Sequence, residues 1–248
     1  MMESSLVVSQ LLKIAMLAGI AFTGGLLVRY WGVRVNYTRK INHFALFCLP
    51  QALDDVFGVA RGIMPGIVNG FATVAMFTVF WEPLRTRLSW AQTMFASYDR
   101  PEDRPHTLTW LVTQFIAGLL VIIPMLIYFR HFGFASLALM VILIATVGDG
   151  LAEPVGVRFG KRKYAVRGIF TKRRYERSYM GSLCVFVVSI AVILLFYDSF
   201  STTQLWIALA LIPISMTLSE AVSPHTWDTP FLLLSGAVCV AVVKQLVP

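Results

Sequence analysis

Charge is what this chain has least of. Only 14% of its 248 residues are charged, whereas soluble domains carry about 25%. Cysteine is also scarce, and Cys48, Cys184 and Cys239 are scattered through apolar stretches. Their spacing excludes a cysteine zinc site and a disulfide framework. The low charge content excludes an ordinary soluble enzyme and indicates a membrane protein.

Two common nucleotide-binding motifs are also missing. The chain has no Gly-x-x-x-x-Gly-Lys-Ser/Thr loop and no Gly-x-Gly-x-x-Gly segment opening a βαβ unit. Its net charge of +8 does not indicate nucleic acid, because the basic residues lie beside apolar runs. Attraction to anionic lipids, about 1 kcal/mol per Lys or Arg near a membrane, explains them. We therefore expect anionic lipids as partners and no nucleic acid.

Long apolar runs recur along the whole chain, and about 20 such residues suffice for a membrane-spanning helix. The eight runs are Leu6–Val28, Ile41–Val59, Ile63–Trp81, Leu108–Phe129, Phe132–Val147, Tyr179–Tyr197, Gln204–Leu218 and Pro230–Val247. They predict an all-α fold, a polytopic bundle of about 7–8 transmembrane helices, with residues 1–248 as a single transmembrane domain. The seven-span alternative makes one run re-entrant, because Asp54 and Asp55 fall within the second run.

The basic residues orient the predicted bundle. Most of the 21 Lys and Arg fall in the first, third and fifth connections, and eight spans put these on one side of the membrane. The positive-inside rule makes that side cytoplasmic. We therefore expect an integral, multi-pass membrane protein whose active site lies on the cytoplasmic face, built from residues 29–43, 148–182 and 219–230.

The most informative segment is Gly148–Lys163, which follows the fifth apolar run. Asp149 and Glu153 are four residues apart, so a helix would place both carboxylates on one side, and Pro154 predicts a helix end at Glu153. Two carboxylates with open positions suit Mg²⁺, which takes phosphate oxygens as further ligands. The alternative is a glycine-rich helix end with a salt bridge from Asp149 to Arg158 or Lys161.

Glycines and basic residues around this pair suggest a polyphosphate site. Glycine lets a backbone or a ligand approach closely, and Arg and Lys are the usual phosphate donors. The alternative for the basic run is an amphipathic segment lying on anionic lipid. The predicted phosphate-binding residues here are Gly148, Gly150, Arg158, Gly160, Lys161 and Lys163.

Two further polar clusters map to the same predicted face. Arg39, Lys40 and His43 could contact a phosphate or a substrate hydroxyl, although spacing alone favours membrane anchoring with a histidine at an interface. The last turn carries Glu220 and Asp228 and has no Lys or Arg. An acidic turn on a basic face favours a functional role, while helix capping is the alternative for Asp228.

Together these motifs resemble the phytol kinase and dolichol kinase family. The resemblance is carried by Arg39-Lys40-x-x-His43, by Gly148-Asp149-Gly150-Leu151-Ala152-Glu153 with Gly156, Gly160 and Lys161, by Gly181-Ser182 opening a span, and by Glu220 with an Asp-x-Pro turn. It implies a polytopic kinase that uses CTP or a related nucleoside triphosphate to phosphorylate a membrane-embedded isoprenoid or lipid alcohol. It also implies that Ser182 belongs to the nucleotide site.

The motifs and the resemblance suggest one mechanism and leave two rivals. In the mechanism, Asp149 and Glu153 hold Mg²⁺ and the triphosphate, while Glu220 or Asp228 is the general base. Phosphoryl transfer of this kind depends on positioning and charge neutralisation. The first rival is a cytidylyltransferase that forms a CDP-lipid. The second is a transporter or a non-catalytic membrane protein that uses its intramembrane acids as ion sites.

Overall fold

The computed structural model describes residues 2–59, 63–169 and 171–247. Helices account for most of these residues, which confirms the predicted all-α class. A two-stranded hairpin is the exception. The chain forms two compact units, Met1–Val112 and Thr113–Pro248, called here the first and second units.

The first unit is built from five helices and the beginning of a sixth. These elements are α1 (Met2–Trp31), α2 (Val35–Val56), α3 (Ile63–Thr78), α4 (Glu82–Arg85), α5 (Ser89–Ala96), a 3₁₀ turn at Pro101–Asp103, and α6 (Thr107–His131), which continues into the second unit. Helix α1 packs against α2 and α5. The closest approach is at Gly25, where a Cβ atom would fall 1.7 Å from the backbone oxygen of Thr93 on α5.

A buried ion pair explains the acid in the second apolar run. Lys13 of α1 lies 2.5 Å from Asp54 of α2, and both side chains are less than one-tenth exposed. Ser9 donates a hydrogen bond to the same carboxylate (3.1 Å), and Lys13 also donates to Asn69 of α3 (3.0 Å). The pair ties three helices together and leaves neither charge alone in an apolar interior.

The second unit is a bundle of helices with the hairpin at one end. Its elements after α6 are α7 (Ser136–Leu143), a π-helical turn (Ile144–Gly148), α8 (Asp149–Phe159), β1 (Lys163–Arg167), β2 (Arg174–Ser178), α9 (Tyr179–Leu195), a 3₁₀ turn (Tyr197–Ser199), α10 (Thr202–Val222) and α11 (Asp228–Leu246). Its core is formed by apolar side chains of α7, α9, α10 and α11, including the fully buried Met140, Ile193, Ile212 and Leu233.

Five described helices are long and apolar enough to cross a membrane. They are Val7–Trp31, Thr107–His131, Ser136–Phe159, Thr202–Val222 and Asp228–Leu246, and α9 is a shorter apolar helix. The molecule is therefore a helical membrane protein. Three of the eight expected runs fall outside these five: α2 carries Arg39, Lys40, Asp54 and Asp55, α3 has only 16 residues, and α9 has 17.

The predicted helix end at Glu153 is wrong. The helix continues through Pro154 to Phe159, so α7, the π-helical turn and α8 form one continuous stretch from Ser136. A proline removes one N–H donor but need not end a helix that is supported by its neighbours. Here that support comes from α9, whose backbone at Gly181 approaches Ala152 so closely that a Cβ would lie 2.8 Å from its carbonyl oxygen.

Candidate functional site

Asp149 has the lowest exposed fraction of the acids predicted for the site. It is the first residue of α8 and is only 3% exposed. Thr229, in the first turn of α11, has its hydroxyl 3.5 Å from the Asp149 carboxylate and accepts a hydrogen bond from Gln114 of α6 (3.0 Å). Asp149 therefore lies level with the beginning of α11, at the end of the bundle, although its own helix continues beyond this level.

The hairpin closes this end of the bundle with one of its two faces. Pairing in the antiparallel register sets Tyr164 opposite Arg177 and Val166 opposite Tyr175. These four side chains lie on one face, because successive strand residues alternate sides, and they are half-buried or buried. The opposite face carries the exposed Lys163, Arg167 and Arg174.

Arg177 connects two of the predicted acids. Its guanidinium lies 3.0 Å from a carboxylate oxygen of Glu220 and 3.5 Å from one of Asp228. It also donates to the backbone carbonyl of Glu220. Burial opposes the charged guanidinium, but Asp228 and Glu220 outweigh it and raise the pKa of Arg177 above its ordinary value. Both carboxylates are thereby held beside a permanent positive charge.

A short hydrogen-bonded chain reaches Glu220 from the hairpin. Ser182 donates to the Glu220 carboxylate (2.8 Å), and the Tyr164 hydroxyl lies 2.7 Å from the Ser182 oxygen. Because serine has one hydroxyl proton, Tyr164 is the donor to Ser182 in this arrangement. Burial, followed by the nearby Glu220 charge, raises the pKa of Tyr164. Ser182 was predicted as a site residue, and here it positions Glu220.

The turn between α10 and α11 is held by the hairpin. The His225 ring stacks on that of Tyr175 with centroids 3.7 Å apart and planes 2° from parallel. The His225 N–H donates to the Arg167 carbonyl (2.8 Å). The acidic turn predicted from the sequence is thus packed beneath the basic connection, and this contact brings Arg177 to Glu220 and Asp228.

The basic residues expected to bind phosphate lie at the end of α8, in the link to the hairpin, and on the outer face of β1. Arg158 and Lys161 are exposed, and the Arg158 guanidinium lies over the Phe159 ring. Lys163 is exposed and pairs with Glu176 across the strands (2.8 Å). The salt bridges proposed for Asp149 as an alternative are not among the described contacts. Phosphate binding by these three residues stays a prediction.

The glycines of the central segment serve helix packing in the described structure. A Cβ at Gly160 would fall 2.5 Å from the Ser178 Cβ and 2.4 Å from the Gly156 carbonyl. At Gly148 it would make an ordinary contact of 3.5 Å with Val185 of α9. Gly150 is buried in the first turn of α8. At Gly160 the close neighbours are the Ser178 side chain and the Gly156 carbonyl. An approach by a ligand to these glycines stays a prediction.

Arg39, Lys40 and His43 belong to the first unit and have their own surroundings there. Arg39 lies 3.8 Å from Asp103, a buried acid that Arg100 also contacts at 2.8 Å. Lys40 is 7% exposed, and the His43 ring lies 5.0 Å from that of Phe47. The predicted helix is present, so the four-residue spacing of Arg39 and His43 does place them on one side of α2.

Whether magnesium fits this site depends on which metal-binding side chains lie near each other. Among the described residues, no group of three or more His, Cys, Asp and Glu is arranged to hold a metal. Asp149 and the half-buried Glu153 lie one helical turn apart on α8, whereas Glu220 and Asp228 both contact Arg177. Two carboxylates suffice for Mg²⁺ bound together with a polyphosphate, because Mg²⁺ keeps waters and takes phosphate oxygens.

Tyr164 and Arg177 were not predicted as site residues. Arg177 was one of nine basic residues in its connection, and nothing in composition distinguishes it from Arg173 or Arg174. The signal that could have found them is the alternation of side chains along a strand. Two pairs of residues show the two-residue spacing of one strand face: Tyr164 with Val166, and Tyr175 with Arg177.

No family model, curated protein or solved structure matches the chain. The resemblance to lipid-alcohol kinases therefore depends on the motifs themselves and on where their residues lie.

Proposed function

We propose that this protein is a membrane kinase that transfers the γ-phosphoryl group of CTP, or a related nucleotide, to the hydroxyl of an isoprenoid or lipid alcohol. The observation that carries the proposal is the convergence of Asp149, Ser182, Glu220 and Asp228 at one end of the second unit. These residues come from three motifs spread over 80 positions, and each motif belongs to the same family pattern.

The proposed roles follow from the surroundings of each group. Asp149 and Glu153 hold Mg²⁺, which when bound supplies neutralisation of the phosphate charge. Arg177, a half-buried cation, is added to Arg158, Lys161 and Lys163 as a phosphate donor. For Arg39, Lys40 and His43 of the first unit, a contact with phosphate or with the alcohol stays a prediction of the family resemblance.

In the transfer, the alcohol oxygen forms a bond to the γ-phosphorus while the bond to the β–γ bridging oxygen breaks. The hydroxyl proton passes to Glu220 or Asp228, and the nucleoside diphosphate leaves. Arg177 contacts both carboxylates and holds them in place. Ser182 and Tyr164 fix the orientation of Glu220 through hydrogen bonds of 2.8 and 2.7 Å.

The site would open to the cytoplasm, with seven or eight spans in all. The hairpin supplies basic residues on the same end of the unit as Asp149, which agrees with the positive-inside rule. The alcohol would enter from the bilayer and the nucleotide from the cytosol. Exposed Arg167 and Arg174 on the outer hairpin face would meet anionic lipids.

Two labelled forms of CTP test the proposal against its rivals. Purified protein in lipid nanodiscs is incubated with Mg²⁺ and with phytol, farnesol, dolichol or diacylglycerol. A kinase moves the γ-label to the lipid and leaves the α-label on CDP, whereas a cytidylyltransferase moves the α-label to the lipid and releases pyrophosphate. Absence of turnover with CTP and ATP across the panel would refute both enzymes and leave the transporter, which is favoured by the position of Asp149 within a continuous apolar helix.

Asp149→Asn tests the central residue of the proposal. The substitution keeps the shape of the side chain and removes the negative charge, so turnover should fall by about two to three orders of magnitude. The control is Asp198→Asn, an exposed acid in the turn before α10, which should leave turnover unchanged. Full activity of Asp149→Asn at saturating Mg²⁺ would contradict the assignment.

A further inference from the structure

A cavity of about 460 Å³ lies at the end of the second unit opposite to Asp149. It is formed by the connection from α6 to α7, the 3₁₀ turn at Tyr197–Ser199 and the last turn of α11, and is called here the Lys244 cavity. Helix α11 begins beside Asp149, and a helix rises about 1.5 Å per residue. The backbone of Lys244 is therefore about 22 Å from that of Thr229, so the cavity is separate from the candidate site.

Lys244 is the only charged residue among the described residues that line this cavity. Its ammonium donates to the Ser199 carbonyl (3.0 Å) and to the side-chain oxygen of Gln204 (2.9 Å). Both acceptors are neutral, and no carboxylate of the described residues pairs with Lys244. Because an ammonium has three N–H donors, this half-buried cation keeps one donor for an anion.

The beginning of α7 adds two further features that favour an anion. Ser136 lines the cavity and is exposed, and its hydroxyl has no hydrogen-bond partner among the described residues. Ser136 is also the first residue of a helical stretch that continues to Phe159, so the positive end of that helix dipole lies at the cavity. The exposed Asp198 precedes Ser199 but does not line the cavity.

An apolar surface continues from the cavity along the bundle. Leu139 follows Ser136 by one turn of α7, and Val242 precedes Gln245 by one turn of α11, so each lies nearer the middle of the bundle on the same side of its helix. Both are exposed, at 39% and 38%, and α7 packs against α11. A cation at the end of two membrane helices, followed by exposed apolar side chains, has the pattern of a lipid headgroup and its acyl chains.

We infer that the Lys244 cavity binds the phosphate of an acidic phospholipid, whose acyl chains lie along Leu139 and Val242. Lys244 and the Ser136 hydroxyl donate hydrogen bonds to the phosphate oxygens. The volume lies within the range of about 300–1,000 Å³ that small-molecule sites occupy. An acidic headgroup is favoured over a zwitterionic one, because the ammonium of the latter would lie near Lys244 and repel it.

The inference goes beyond the proposed kinase activity and does not depend on it. On the proposed orientation, the cavity belongs to the leaflet opposite to the nucleotide site. The lipid bound there would fix the depth of the second unit in the bilayer.

Native mass spectrometry of the detergent-purified protein measures the binding of phosphatidylglycerol, phosphatidylcholine and the soluble headgroup analogue glycerol 3-phosphate. The reference protein carries Arg167→Gln and Arg174→Gln, which remove exposed hairpin cations that would also attract acidic lipid. Lys244→Met removes the charge, Lys244→Arg keeps it, and Ser136→Ala removes the hydroxyl without touching the contacts of Lys244. Arg130→Met is the matched control, because Arg130 is an exposed cation at the same end of the unit, in the last turn of α6, and does not line the cavity.

We expect phosphatidylglycerol to bind the reference protein more tightly than either other probe. Lys244→Met should weaken this binding about tenfold or more, as expected for a hydrogen bond between charged groups. Ser136→Ala should weaken it about threefold or more, whereas Lys244→Arg should stay within about threefold of the reference and Arg130→Met within about twofold. Thermal unfolding of each variant shows whether the fold is retained.

Several outcomes would overturn the inference. Equal losses in Lys244→Met and Arg130→Met would show a diffuse attraction to this end of the unit instead of a site. Binding of glycerol 3-phosphate as tight as that of phosphatidylglycerol would show a site for small anions and not for a lipid. Unchanged binding in Ser136→Ala would also overturn it, and this variant decides the matter if Lys244→Met fails to fold. The kinase proposal stands or falls separately, by turnover of CTP.

Discussion

The contact between Arg177 and Glu220 should be one of the strongest pairwise couplings in the second unit. The two groups are 3.0 Å apart, and their side chains are 10% and 7% exposed. At an effective dielectric constant of about 20, Coulomb's law gives an attraction of about 5 kcal/mol at that distance. Replacing Arg177 by methionine leaves Glu220 and Asp228 without their partner, so the free energy of unfolding should fall by about 3–5 kcal/mol.

A double-mutant cycle measures the coupling directly. Glu220→Gln alone should cost about 1–3 kcal/mol, because Arg177 keeps Asp228 and the Glu220 carbonyl. The double variant should be more stable than the sum of the single effects predicts, by at least about 2 kcal/mol. Equilibrium unfolding by SDS in mixed micelles, followed by tryptophan fluorescence, provides the four free energies.

The exposed pair of Lys163 and Glu176 on the same hairpin is the matched control. Its two side chains are 55% and 69% exposed, so a parallel cycle should show little coupling, about 0–1 kcal/mol. Additive effects at Arg177 and Glu220, within about 0.5 kcal/mol, would refute the argument that this pair is desolvated and bound. The hairpin would then be a loosely attached element.

Two further predictions concern the first unit, and both are measured by thermal unfolding. Lys13→Met should destabilise the protein by about 3–5 kcal/mol, because Asp54 remains buried without its partner, and Lys13→Leu combined with Asp54→Leu should recover most of the loss. Equal losses in the single and the double variants would argue against the pair. Gly25→Ala should lower the unfolding midpoint, because the added Cβ forces α1 away from α5. Gly19→Ala is the control and should leave the midpoint unchanged, because a Cβ there meets nothing within 4 Å. Equal effects of the two substitutions would contradict the close approach of α1 to α5.

The helical membrane class follows from composition and run length alone. A run of about 20 apolar residues can satisfy its backbone in a bilayer only as a helix. The positions of long helices near residues 108–129, 204–218 and 230–247 could therefore be predicted well, with ends that differ by a few residues. The i, i+4 spacing of Asp149 and Glu153 was predictable for the same local reason, since both fall on α8.

Local patterns could not predict which charged residues meet. In the sequence, Asp54 is an acid that interrupts an apolar run, and only the packing of α1 against α2 supplies Lys13 as its partner. Pro154 was expected to end a helix, but contact with α9 sustains that helix to Phe159. In both cases the deciding contact joins residues far apart in the chain, and no local pattern records it.

The candidate site divides in the same way. The sequence by itself determined its acids, because an Asp or Glu in an apolar chain is costly enough to indicate a role. Only the tertiary structure decided which cation faces them: the hairpin turns Arg177 inward and leaves Arg174 on its outer face. The physical reason is that strand pairing sets the side of each residue, while the stack of Tyr175 on His225 decides which face meets the bundle.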